Sequence, residues 1–203
     1  YTIAYTNNEQ ESGFKGEYFE TMEEANAFET LLARQMDEII KYETEKYKHQ
    51  SLISFSNSLD TDPFEYDEYY AGQVSKFVSL DLENIKATDN LKSGYFASYS
   101  LSGREDKYYE YFSQEEKDNL QSKIINNEGI KDNYLKLLKS YHTMPIIISS
   151  YGYSTSRGVS SVDNGGPLTE KEQGELLISK YEEIVSLGFM GGVSLRWISE
   201  KNL

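Results

Sequence analysis

A chain of 203 residues with 34 acidic against 20 basic side chains has a net charge of −14. That argues against nucleic acid or an anionic membrane as partner, since both need a basic face. The length suits one domain with a sizeable core, no window approaches the roughly 18 apolar residues of a membrane span, and the absence of cysteine excludes disulfides and thiolate metal sites.

Tyr1 to Thr6 reads as a short strand closing on the turn pair Asn7 and Asn8. It has neither an initiating Met nor the basic start and apolar core of a signal peptide, so this segment is expected to belong to a longer polypeptide. Thr21 with Glu24 three residues on forms a capping box, and Ala25, Phe28, Leu32, Met36, Ile39 and Ile40 continue as one apolar helical stripe to about Tyr47. Leu52 to Asn57 is a second strand, followed by a long loop through Asp60, Asp62 and Pro63 to Tyr70. Lys76 to Asp81 is a third strand, ending on a carboxylate, and Gly94 to Tyr99 a fourth. Ser102 to Phe112 reads as a surface loop, and helices are expected from about Gln114 to Ile125 and from Lys131 to Tyr141.

Pro145 to Ser149 is the fifth strand. Its unbroken apolar run Ile146, Ile147, Ile148 suits a strand covered on both faces, as in parallel sheets. Thr169 and Glu172 form a second capping box, opening a helix with apolar positions Leu176, Leu177, Tyr181, Ile184 and Val185 and with Gly188 as its stop. Gly192 to Trp197 is the sixth strand. No linker or composition shift divides the chain, so residues 1–203 read as a single domain. Strands alternating with helices or long loops imply an α/β fold with parallel pairing and right-handed crossovers. An open doubly wound sheet is the alternative, though no Gly-rich phosphate turn follows any strand.

Several motifs carry a resemblance. Pro145 to Gly158, Thr169 to Gly174 and Gly191 to Glu200 resemble the last two βα units of glycoside-hydrolase TIM barrels, in particular bacterial family-2-like barrels. The family pattern there is P-hydrophobic-hydrophobic-S/T-E-Y/F-G-x-x-x-S-R-G, then S/T-E-x-E-Q-G and G-G-x-x-x-x-W-x-D-E. Upstream, Phe55 to Pro63 is similar to F-x-N-W-x-T-T-D-P-L, Val78 to Thr88 to V-x-x-D-x-x-x-I-K-A-T, and Gly94 to Tyr99 to G-x-F-A-S-Y-H. The resemblance implies a partial (β/α)8 barrel of about six parallel strands with outer helices, the first two strands lying upstream of Tyr1. It also implies an oligosaccharide or polysaccharide ligand and a secreted or envelope setting; no cofactor is expected.

Glycoside hydrolysis usually needs two carboxyl groups flanking the scissile bond, and in such barrels they sit at the carboxyl ends of strands. The candidates are Asp60 and Asp62 after the second strand, Asp81 ending the third, and Glu200 past the last. Each also has a plainer reading: turn chemistry for Asp62 before Pro63, a helix cap for Asp81, a solvated charge for Glu200. Where the family carries its strand-end glutamate, this chain has Ser150. The family's histidine after S-Y is replaced by Ser100, and its W-x-D-E-W becomes Trp197 to Lys201, losing an aspartate and a tryptophan. With neither histidine placed beside it and no G-x-S-x-G elbow, Ser150 does not read as a nucleophile.

These departures favour a barrel that binds polysaccharide with reduced or lost hydrolysis. A working glycosidase pairing Asp62 or Asp81 with Glu200, and a protein-interaction domain, are the alternatives. For sugar binding the candidates are the aromatic faces of Tyr99, Tyr151 and Trp197 and the polar groups of Asn57, Asp62, Asp81 and Arg157. Trp197 could equally pack in the core, and Arg157 anchor its own loop. No metal site is expected: there is no histidine pair, and Asp60 with Asp62 lack the glycine and terminal glutamate of a calcium loop.

Overall fold

The computed structural model describes residues 6–7, 13–101, 105–123, 131–153 and 168–194. Strand β1 (Phe19–Thr21) leads into helix α1 (Ala27–Tyr47). Strand β2 (Ser56–Ser58) is followed by the short helix α2 (Glu68–Val74), and strand β3 (Ile85–Ala87) precedes β4 (Ala97–Ser100). Helices α3 (Tyr108–Tyr111), α4 (Gln114–Lys123) and α5 (Tyr134–Tyr141) then lead to β5 (Ile146–Tyr151). Helix α6 (Glu170–Ser186) and strand β6 (Gly192–Ser194) complete the described elements.

The molecule is α/β with a four-stranded parallel sheet in the order β2-β4-β5-β6. Ile53 also bridges Tyr95 in parallel, extending the β2–β4 pairing toward the start of the second expected strand. On one face of this sheet Ala97, Tyr99, Ile146, Ile148 and Tyr151 join Leu135, Leu137 and Leu138 of α5 and Ile184 of α6 in the main core. On the other face Ser56 is exposed and Val193 is 52% exposed.

Not every strand expected to be parallel joins that sheet. Lys76 to Asp81 forms no strand, because its polar backbone groups go elsewhere: Leu80 N–H donates to Thr61 O and Leu80 O accepts from Asn57 Nδ2. The strand lies a few residues on, at β3, and pairs antiparallel with β1 in a separate two-stranded sheet. Of the first expected strand, Tyr1 to Tyr5 lie outside the described residues, while Thr6 and Asn7 are helical. Within the expected loop from Ser102 to Phe112, Glu105–Lys107 forms a 3₁₀ turn that runs into α3. The last strand is described only to Ser194.

Helix α1 begins six residues later than Thr21. Thr21 belongs to β1, opposite Ile85, and its hydroxyl accepts from Phe14 N–H, so it cannot cap a helix. The cap is Asn26, whose side chain accepts from Glu29 N–H while Glu29 accepts from Asn26 N–H. Glu29 also receives Asp81 N–H and Asn84 Nδ2, tying the helix start to the turn before β3. Further along α1, Asp37 reaches the backbone N–H groups of Tyr18 and Phe19, and a Cβ at Gly16 would lie 2.4 Å from Asp37 Oδ1. Only glycine leaves room for that carboxylate.

Helix α6 starts at the expected Thr169–Glu172 capping box. It ends in a Schellman arrangement: Gly188, at φ +76°, donates to Val185 O, and Phe189 donates to Ile184 O. The turn brings Phe189 back onto the core at the entry to β6.

Candidate functional site

Parallel pairing aligns three serines near the carboxyl edge of the sheet. Ser58 stands opposite Ser100, and Ser100 opposite Ser150. The β4–β5 register shifts between Tyr99 and Ser100, where Ser149 is the extra residue on β5. Such a bulge turns two consecutive side chains toward one face. Both hydroxyls accordingly meet serines of the sheet: Ser149 Oγ lies 2.6 Å from Ser56 Oγ of β2, across β4, and Ser150 Oγ 2.5 Å from Ser100 Oγ of the adjacent β4. Ser149 also donates to Tyr99 O, and Ser58 donates to Asp60 Oδ1. A row of half-buried hydroxyls, with Asp60 at one end, therefore lines the face away from the helices. Its members offer both donors and acceptors and can bind a polyol, but among the described residues they carry no second acid to protonate a leaving group.

Asp62 lies apart from this row and is fully buried. Its Oδ2 accepts from the hydroxyls of Tyr66 at 2.9 Å and Tyr134 at 2.8 Å, and its Oδ1 from Phe64 N–H and Lys76 Nζ, the latter at 3.0 Å. Burial pushes the carboxyl up from its ordinary range, against the opposing pull of the Lys76 ammonium and the two phenols. Burial and the Asp62 charge hold the Tyr66 and Tyr134 hydroxyls protonated, well above the usual phenol range. These four polar groups close off the base of the loop after β2, beneath Phe64, Tyr108 and Phe112.

Asp81 sits at the other end of the sheet. It caps the 3₁₀ turn Leu82–Asn84 by accepting from Glu83 N–H, and takes the Tyr141 hydroxyl at 2.5 Å. Tyr134 opens α5 and Tyr141 closes it, about 10 Å of helix rise apart. One helix thus holds Asp62 beside its start and Asp81 beside its end. Next to Tyr141, His142 is buried between Glu83 and Tyr99: Nδ1 lies 3.0 Å from Glu83 Oε1, and Nε2 2.7 Å from Tyr99 Oη. A carboxylate only accepts, so Nδ1 donates to Glu83, while Nε2 shares the second hydrogen bond with the Tyr99 hydroxyl. Burial works against the Glu83 charge, but His142 and the Thr143 hydroxyl and amide outweigh it and hold the carboxyl below its ordinary range.

The expected sugar-binding residues fall in different places. Asn57 is buried, donating to Leu80 O and accepting from Ser58 N–H and Thr61 Oγ1. Tyr99 is fully buried with its ring in the helix-side core. Tyr151 is 6% exposed. It lines a cleft of about 250 Å³ beyond β4 and β5 with Leu101, Asn133, Tyr153 and Glu183. Ser150 stands in the hydroxyl row. Arg157, Trp197 and Glu200 lie outside the described residues.

Sequence reasoning singled out Ser150 and Asp60 but missed their neighbours. The signal was present as serine at every second position of Ser54, Ser56 and Ser58, and again at Ser98 and Ser100, which is strand period with hydroxyls on one face. Among the described residues no three His, Asp or Glu side chains gather as a metal set, and no helix is long and apolar enough to cross a membrane. No protein-family model, curated protein or solved structure matches the chain.

Proposed function

We propose that this chain is the wall of a glycoside-hydrolase-like (β/α)8 barrel that binds polysaccharide and has lost most or all hydrolytic power. The observation that carries the reading is the Ser58–Ser100–Ser150 row: at the strand end where the family's glutamate would stand, a hydroxyl is engaged with a second hydroxyl. A serine oxygen with no base beside it neither attacks an anomeric carbon nor activates water.

Two further features support it. The strands β2, β4, β5 and β6 neighbour one another in chain order, as in a barrel wall, whereas a doubly wound sheet reverses its order at a switch point. Asp62 and Asp81, either of which was a candidate catalytic partner for Glu200, are held at opposite ends of α5 by tyrosines. Among the described residues, Asp60 is the carboxylate that meets the serine row. One carboxylate can orient a sugar hydroxyl, but it cannot supply both proton donation and nucleophilic attack.

Calorimetric titration with a panel of plant and bacterial oligosaccharides tests the reading. Binding by the wild-type chain that falls about tenfold or more in Ser150→Ala or Ser100→Ala supports it. Binding indifferent to both substitutions would move the ligand away from the hydroxyl row.

A further inference from the structure

The residues that follow the row serines open a second surface. Leu101 follows Ser100, and Tyr151 to Tyr153 follow Ser150; both segments line the cleft of about 250 Å³ between the start of α5 and α6. Alternation along a strand puts Tyr151 on the helix side of the sheet, opposite the hydroxyl row. We propose that this cleft holds one amino-sugar unit, a pyranose carrying an ammonium group, of the glycan bound along the serine row. The assignment rests on that glycan reading and adds the class of sugar to it.

The walls are fixed before any ligand arrives. Tyr134, Leu135 and Tyr151, which line the cleft, are buried in the main core. Asn133 Nδ2 donates to Glu183 Oε1, and Lys180 Nζ lies 2.7 Å from Glu183 Oε2, so α5 and α6 are joined across one side. Gln173 Nε2 donates to Tyr153 O at 2.6 Å and holds the chain after β5 against α6. Groups held in this way lose little freedom when a ligand binds. The volume is below the roughly 300–1,000 Å³ of drug-sized pockets and suits a single ring.

Two observations point to the chemistry of the ligand. Tyr151 is 6% exposed, yet its hydroxyl has no hydrogen-bond partner among the described residues and is not sealed from solvent. Such a phenol has a donor and acceptor capacity left for a sugar hydroxyl. Charge supplies the second observation. Glu105, Asp132 and Glu183 line the cleft with one described cation, Lys180, which already lies against Glu183. The amino end of α5 adds only about half a positive charge. The carboxylates therefore prevail, and the local field favours an ammonium group over a neutral hexose and repels a uronic acid. The tyrosine rings add a face on which a cation is further stabilised.

The test is amide NMR on labelled protein, titrated at constant ionic strength with β-linked tetrasaccharides of glucosamine, glucose and glucuronate in turn. The expected result is saturable shifts at Leu101, Asn133, Tyr151 and Glu183 with the glucosamine oligomer. Its binding should be at least about tenfold tighter than that of the glucose oligomer, and the glucuronate oligomer should not shift the cleft. Tyr151→Phe, which removes only a hydroxyl, and Asp132→Asn, which removes an exposed charge, should each weaken the glucosamine oligomer by about three- to tenfold with the fold intact. Equal binding of the glucose and glucosamine oligomers, or cleft shifts reproduced by ammonium chloride, would overturn the proposal. Shifts at Ser58, Ser100 and Ser150 without cleft shifts would overturn it and leave the serine-row reading standing. Cleft shifts without the serines would support the amino-sugar site and count against that reading.

Discussion

Ser100 and Ser150 meet hydroxyl to hydroxyl at 2.5 Å across β4 and β5, one residue past a bulge that turns Ser149 toward Ser56 on the same face. Each hydroxyl can donate one bond and accept others, so the pair orders the strand end and still has capacity for a ligand. Ser150→Ala and Ser100→Ala are each expected to destabilise by about 0.5–1.5 kcal/mol, and the double variant by less than their sum. A denaturant double-mutant cycle measures this. Strict additivity would mean that the two hydroxyls do not interact in solution.

The buried Asp62–Lys76 pair makes a larger demand on the fold. Asp62→Asn leaves an ammonium that is 5% exposed facing a neutral amide. The expected loss is about 3–5 kcal/mol, because the remaining charge stays buried and uncompensated. Urea unfolding of Asp62→Asn and Lys76→Met checks it. A loss below about 1 kcal/mol would show the pair solvated rather than sealed.

Acid should loosen the end of the sheet that holds His142. The Glu83 carboxyl is held below its ordinary range, so its contribution to stability is complete above the unfolded-state value near 4.5 and is lost as pH falls through the lower folded value. Glu83→Gln abolishes that dependence while keeping the side chain's shape. Melting temperature followed from neutral pH to pH of about 3 should fall more steeply in the wild type than in Glu83→Gln. Parallel curves would contradict the assignment.

Helix α1 offers a contrast between two glutamates five residues apart. Glu24 is exposed, and Glu24→Ala should change stability by less than about 0.5 kcal/mol. Glu29 is 1% exposed and takes N–H groups from Asn26, Asp81 and Asn84. Glu29→Ala orphans these donors and should destabilise by roughly 2–4 kcal/mol. Thermal denaturation of the two variants side by side separates the cap that forms from the one suggested by Thr21.

What could be read from the chain divides along physical lines. Strand β5 was legible from its unbroken apolar run and helices α1, α5 and α6 from their apolar spacing, while only α6 also had both ends marked by local chemistry, at Thr169 and Gly188. The segment from Lys76 to Asp81 misled because its apolar residues look like a strand, whereas its backbone bonds go to Thr61 and Asn57, both distant in sequence. The role of Asp62 was hidden for the same reason. Its partners Lys76 and Tyr134 lie 14 and 72 positions away, and only the fold of the loop after β2 brings them together. Tyr99 was judged by its place near a strand end, but the pleat turned it inward to His142. The serine row needed only the period-2 pattern and the register, and the bulge at Ser149 could not be foreseen.

The most direct measurement is a single NMR experiment that follows protein amides and sugar anomeric signals together while the protein is incubated with an oligosaccharide panel. The expected result is shifts at Ser58, Ser100 and Ser150 with no new reducing-end anomeric signals. New reducing ends, formed in proportion to protein and absent from a boiled control, would contradict a barrel that binds without cleaving, and unshifted serines with every sugar would contradict the binding site itself.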